Sequence, residues 1–145
     1  MDFIKAPRGL RNNNPGNIRK GTEWKGETQG HDPAFETFTS VEYGIRAIFK
    51  LIDTYIKKYN LETVQGIIAR YAPAFENQTA NYINSVVRYM VEHANEDQLV
   101  YLNANMNMSK VTALGLLPLF VGGIIEHENG MQPFNFQFIA ECQKL

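Results

Sequence analysis

The run from Leu114 to Ile125 constrains this chain most. Its 12 residues form the longest apolar stretch, and they lead directly into Glu126-His127-Glu128-Asn129-Gly130. The run is too short to span a bilayer, and Pro118 and Gly122-Gly123 lie within it. It therefore has to be buried by the rest of the chain. Gly130 suits the left-handed residue that ends a helix, and Pro133 prevents resumption. Glu126, His127 and Glu128 then occupy the last turn of a buried helix. The two glutamates project about 200° apart, so at most one of them faces a cleft. Apolar neighbours and the negative helix end both disfavour a carboxylate there, which favours an acid that keeps its proton and can donate it. The bare pattern also fits polar residues closing a fraying helix. Gly122 and Gly123 weaken helix propensity and make sense where another backbone packs closely.

The rest of the chain has to supply the cover. A length of 145 residues suits a single domain, residues 1–145, with one core. Hydrophobic content of 44% and charged content of 20% are those of an ordinary globular protein. A net charge of −1 gives no reason to expect nucleic acid, since only Arg8, Arg11, Arg19 and Lys20 cluster. Cys142 is the single cysteine, which excludes an internal disulfide, and a buried, small apolar role is expected for it. His31, His93 and His127 are scattered without metal-ligand spacing, so neither metal nor cofactor is expected. The first residues, Met1 to Arg8, lack the apolar core of a secretory leader.

Residues 1–40 concentrate glycine, proline and asparagine. Asn14-Pro15-Gly16 predicts a type II turn, Ile18-Arg19 and Phe35 to Phe38 predict short strands, and together they predict a small β-lobe. From Val41 the period becomes helical, with Ile45, Phe49, Ile52, Ile56 and Tyr59 on one face of a helix to about Lys58. Leu61 to Tyr71 predicts a second helix. A third opens at Gln78 or Thr79 and points Tyr82, Ile83, Val86 and Met90 inward. Asn95 caps a short piece, and 103–108 reads as a loop. Ser109 starts an apolar pair of helices interrupted by Gly115 and Pro118. Asn135 to Lys144 predicts a last short helix. The expected class is mainly α, α+β in detail, with a small N-terminal β-lobe.

Several acids have suggestive settings: Glu128, Glu76, and the lobe acids Glu23, Glu27, Asp32 and Glu36. Glu76 also fits an acid stabilising a helix N-terminus. Trp24, Phe35, Tyr71 and Tyr82 could stack on sugar rings or belong to the core.

Two stretches resemble the lysozyme-like superfamily of peptidoglycan-cleaving enzymes. Ile124-Ile-Glu-His-Glu-Asn-Gly-Met-Gln-Pro-Phe134 resembles the lytic transglycosylase segment in which an apolar helix ends in Glu-Ser-Gly, followed by an aromatic, Asn, Pro and an aromatic. The match puts the catalytic glutamate at Glu128, with Asn129 in place of serine and Met131 in place of the aromatic. Ala72 to Ile83 resembles the family segment Thr-x-x-Tyr, matched by Thr79 and Tyr82. Arg11-Asn-Asn-Asn-Pro-Gly-Asn-Ile-Arg19 with Trp24-Lys-Gly26 and Phe35 to Phe38 is similar to phage-encoded lysozyme-like proteins. The order is unusual, with the lobe first and the glutamate helix near the end, as a circular permutation would give.

The resemblance implies cleavage of the β-1,4 bond between N-acetylmuramic acid and N-acetylglucosamine. Glu128 would be the general acid, and Asp32 or Glu36 a possible second acid. Substrate contacts would come from Asn17, Trp24, Phe35, Glu76, Thr79, Tyr82 and His127. Lytic transglycosylase and muramidase both remain open. The alternative is a catalytically weak virion or prophage structural protein on the same fold. The implied partner is the glycan strand of the cell wall, met by a monomer with no membrane span. Without a leader, delivery would be by a virion, phage lysis or a secretion machine. A permuted chain also requires the 12–38 lobe to lie against Glu128, and the N-terminus to approach the segment after Phe134.

Overall fold

The computed structural model describes residues 6–72 and 78–145, and the backbone alone of 76 and 77. The class is the expected one, mainly helical with a small two-stranded sheet. The chain divides into two compact units, residues 1–50 with 124–145, and residues 51–123.

The first unit begins with α1 (Arg8–Arg11), followed by the asparagine-rich turn. Asn17 N–H donates to Asn14 O at 2.9 Å, closing the turn at Asn14-Pro15-Gly16. The turn is not type II, because the left-handed residues are Asn13 (φ 52°) and Asn17 (φ 49°) on either side of it rather than Gly16. Short polar side chains tolerate that conformation. Arg19 bridges to Phe35, and β1 (Glu27–Thr28) pairs antiparallel with β2 (Thr37–Phe38) in the register Glu27–Phe38. The predicted strand pair is thus reduced at one end to a single bridge, and β1 is an element the sequence pattern did not mark.

Three consecutive asparagines hold this lobe together, all three bonding to the 36–38 segment. Asn12 O accepts from Phe38 N–H at 3.0 Å, and Asn13 Nδ2 donates to Phe38 O at 3.1 Å. Asn14 is wholly buried, and its amide is satisfied by Ile18 N–H, Ile18 O and Glu36 O at 2.9–3.0 Å. A buried amide without such partners would cost about 1–3 kcal/mol, so this constellation needs asparagine and not merely a polar residue.

Helix α2 (Val41–Tyr59) buries Ile45, Ile48, Phe49 and Ile52. The expected face ends there. Ile56 is half-buried and Tyr59 is exposed, with the Arg70 guanidinium 3.5 Å from its ring. The first unit closes with α8 (Phe136–Cys142), the expected last short helix, which Asn135 caps by accepting from Phe138 N–H. Cys142 is buried, and burial together with Glu42 and Glu141 pushes its thiol up to about 11.

In the second unit, α3 (Val64–Tyr71) is capped by Thr63, which accepts from Gly66 N–H at 3.1 Å. The segment predicted as a loop pairs with the start of α3: Met108 N–H donates to Glu62 O at 2.7 Å and Val64 N–H to Met106 O at 3.0 Å. Helix α4 (Glu76–His93) starts earlier than predicted. Thr79 lies inside it and donates to Ala72 O at 3.2 Å instead of opening the helix. Its buried face is Tyr82, Val86, Tyr89 and Met90, while Ile83 is only half-buried. Asn95 forms a capping box with Gln98 at α5 (Glu96–Leu99), and Asn107 caps α6 (Met108–Ala113).

Gly115 (φ 72°) ends α6, and Pro118 falls in the first turn of α7 (Leu117–Asn129). Pro118 therefore starts a helix and does not interrupt one, since amides in the first turn have no partner to lose. Residues 121–125 of α7 are buried throughout. A Cβ on Gly122 would lie 2.8 Å from Tyr89, and one on Gly123 would lie 3.1 Å from Val86, so the glycine pair admits α4 as expected. Among the described residues no helix is long and apolar enough to cross a membrane.

Candidate active site

Helix α7 ends as its sequence requires. Gly130 takes φ 69°, and its N–H donates to Glu126 O at 2.8 Å. Glu126, His127 and Glu128 are half-buried in this last turn, and Asn129 is buried at 8% exposure. The lobe reaches this turn at two points. Asn17 Nδ2 donates to Glu128 Oε1 at 2.9 Å across 111 positions of sequence. Asn129 Nδ2 donates to Pro15 O at 2.7 Å and back to Ile125 O at 2.9 Å. An amide nitrogen carries two hydrogens and a serine hydroxyl one. Asn129 thus joins two carbonyls that a single hydroxyl hydrogen could not join at once.

Gly9 seals this arrangement. A Cβ there would lie 2.7 Å from Asn129 Oδ1, 2.8 Å from Asn14 O and 2.9 Å from Asn17 Oδ1. Both amide oxygens are buried without a hydrogen-bond partner among the described residues. Close approach of the Gly9 Cα is what fixes the amides that touch Glu128 and Pro15. Pattern reading missed Gly9, Asn14 and Asn129, because none falls on a periodic face. The one available signal was the density of asparagine beside glycine in a turn.

Beside Glu128, burial pushes the His127 imidazole below its ordinary value, opposed by the Glu128 charge.

The other candidate acids sit differently. Asp32 is clamped by Arg8, whose Nε and Nη2 donate at 2.5 and 2.7 Å, by Asn12 at 3.0 Å, and by the amides of Ala34 and Phe35. The Arg8 contact above all holds its carboxyl well below the usual range. Glu36 is buried, and that burial, with the Glu27 carboxyl beside it, raises its pKa. Glu27 Oε2 and the Trp24 indole nitrogen are both buried without partners among the described residues. Phe35 carries the guanidinium groups of Arg8 and Arg19 over its ring, at 4.4 and 4.8 Å.

Thr79 and Tyr82 belong to the second unit. Tyr82 is 4% exposed and meets Tyr71 edge-on at 6.4 Å. The Glu76 side chain and residues 1–5 lie outside the described residues. Among the described residues no three metal-ligating side chains cluster.

The site defines a class: a mainly α protein with a glutamate in the last turn of its buried helix, hydrogen-bonded by a side-chain amide from a small β-lobe. No family model matches the chain. It is 40% identical over 142 residues to Protein P5 of Pseudoalteromonas phage PM2, covering 94% of this chain and 80% of the relative. The chain belongs to the family of that phage protein.

Proposed function

We propose that the protein cleaves peptidoglycan glycan strands at the bond between N-acetylmuramic acid and N-acetylglucosamine, with Glu128 as the general acid. The observation that carries this reading is the 2.9 Å hydrogen bond from Asn17 to Glu128, which brings the lobe turn onto the helix end that resembles the lytic transglycosylase motif. The lobe-first order of these motifs fits a circularly permuted lysozyme-like chain. A phage relative agrees with a protein that meets a bacterial cell wall from a virion or during lysis.

In the mechanism, Glu128 donates its proton to the glycosidic oxygen as the bond to the muramyl C1 breaks. The resulting carboxylate then takes the proton of the muramyl 6-hydroxyl as that oxygen attacks C1, closing a 1,6-anhydro ring. One carboxyl group suffices for both transfers. A hydrolase needs a second carboxylate to activate water or to attack. Asp32 is engaged by Arg8, Asn12 and two backbone amides, and Glu36 is buried beside Glu27. These engagements count against Asp32 and Glu36 as that second carboxylate, which supports the single-acid, transglycosylase route over a hydrolase that uses either of them.

The test is a turbidity assay on purified cell walls. Glu128→Gln keeps shape but has no acidic proton, and it should lower the rate by about 10²–10⁴-fold with the melting temperature unchanged. Near-wild-type clearing by that variant would move the acid to Glu126 or Glu76. No clearing by the wild-type protein would leave a virion structural protein on this fold.

A further inference from the structure

Phe35 holds two guanidinium groups, with Arg8 Cζ 4.4 Å and Arg19 Cζ 4.8 Å from its ring centroid. Two cations sharing one ring repel unless something neutralises them. Asp32 neutralises Arg8 through a two-pronged contact at 2.5 and 2.7 Å. Arg19 is exposed, and among the described residues no carboxylate forms an ion pair with it. Its guanidinium is nonetheless held in place by the ring and by the Arg19–Phe35 bridge of the backbone. A fixed guanidinium with unused donors and no counter-charge is the group best suited to take a planar carboxylate through two parallel hydrogen bonds.

Its position gives the ligand class. Arg19 lies two residues beyond Asn17, whose amide holds Glu128, and two residues of chain span at most about 7 Å. A muramyl residue presented to Glu128 carries an acidic peptide stem on the same sugar ring, so the stem passes close to this segment. We propose that Arg19, braced by Phe35, is an anion subsite for a carboxylate of the peptide stem. It would let the protein tell peptide-bearing peptidoglycan from uncharged glycans of the same linkage. This proposal rests on the glycan-cleaving reading above.

The test is calorimetric titration of the Glu128→Gln protein with a soluble disaccharide–tripeptide and with the same disaccharide lacking the peptide. The peptide-bearing ligand should bind about tenfold tighter, the effect of one charge-assisted contact. Adding Arg19→Ala should remove that advantage while leaving the bare disaccharide unaffected. Arg19→Lys, which keeps the charge without the fork, should restore part of it. Equal weakening of both ligands, or no weakening of the peptide-bearing one, overturns the subsite alone. Failure of either disaccharide to bind the folded protein overturns the glycan reading and the subsite with it.

Discussion

Replacing Gly9 with alanine sets two effects against each other. Gly9 is in α1 with no left-handed backbone, so helix propensity alone predicts a gain of up to about 1 kcal/mol. Packing predicts the opposite. The new Cβ would lie 2.7, 2.8 and 2.9 Å from Asn129 Oδ1, Asn14 O and Asn17 Oδ1, all closer than a methyl group tolerates. Asn14 is wholly buried and triply bonded, so its backbone cannot easily retreat. The amides of Asn17 and Asn129 have to move. Overpacking costs about 1–3 kcal/mol, and each displaced amide hydrogen bond costs about 1 kcal/mol more. The net loss is about 2 kcal/mol, or a fall of about 4–8 °C in melting temperature for a chain of this size. The same movement detaches Asn17 from Glu128. Turnover on cell walls should therefore drop by about ten- to a hundredfold, since small misplacements of catalytic groups have effects of that order. Thermal melting and initial clearing rates on one preparation measure both. A raised melting temperature with full activity would refute the packing argument.

Three further outcomes follow from the same region and its neighbours. Asn129→Asp replaces a donor with a carboxylate oxygen against Pro15 O and Ile125 O and should cost about 3 kcal/mol or more; a urea midpoint equal to wild type at pH 7 would contradict those contacts. Glu36 has a folded pKa raised above its ordinary 4.5, so the folded state resists its ionisation, and stability should fall as pH rises from below that value through the raised one. Glu36→Gln should accordingly stabilise the protein at pH 7 more than at pH 4, and an equal effect at both would remove the argument. Cys142, its thiol pushed up to about 11, should resist alkylation at pH 8 in the folded protein and react in urea; rapid labelling without denaturant would place it at the surface.

Much of the fold was readable because it rests on periodicity and capping. The apolar run before Glu126 could only be buried, and residues 121–125 are. Gly130, Asn95 and Asn135 end or begin helices where their side chains and backbone freedom suit those tasks. That the lobe lies against Glu128 was legible only as a consequence of the resemblance, and the hydrogen bond from Asn17 was not legible at all, since no local rule links positions 111 apart. The interior of the lobe was not legible. Its strands are two residues long, too short for alternation to register, and its order comes from side-chain amides bonding to backbone. The stacking of Arg8 and Arg19 on Phe35 was not legible either, because nothing in the sequence places both over that ring. The start of α4 was misplaced because Thr79 resembles a capping residue, yet its hydroxyl bonds to Ala72 O from inside the helix.

Mass spectrometry of peptidoglycan digested by the protein tests the central claim most directly. Wild-type protein should release muropeptides ending in 1,6-anhydromuramic acid, and Glu128→Gln should release none above background. Reducing muramic ends would keep Glu128 as the acid but require a second carboxylate and a water. Intact glycan after prolonged digestion with folded protein would contradict the account.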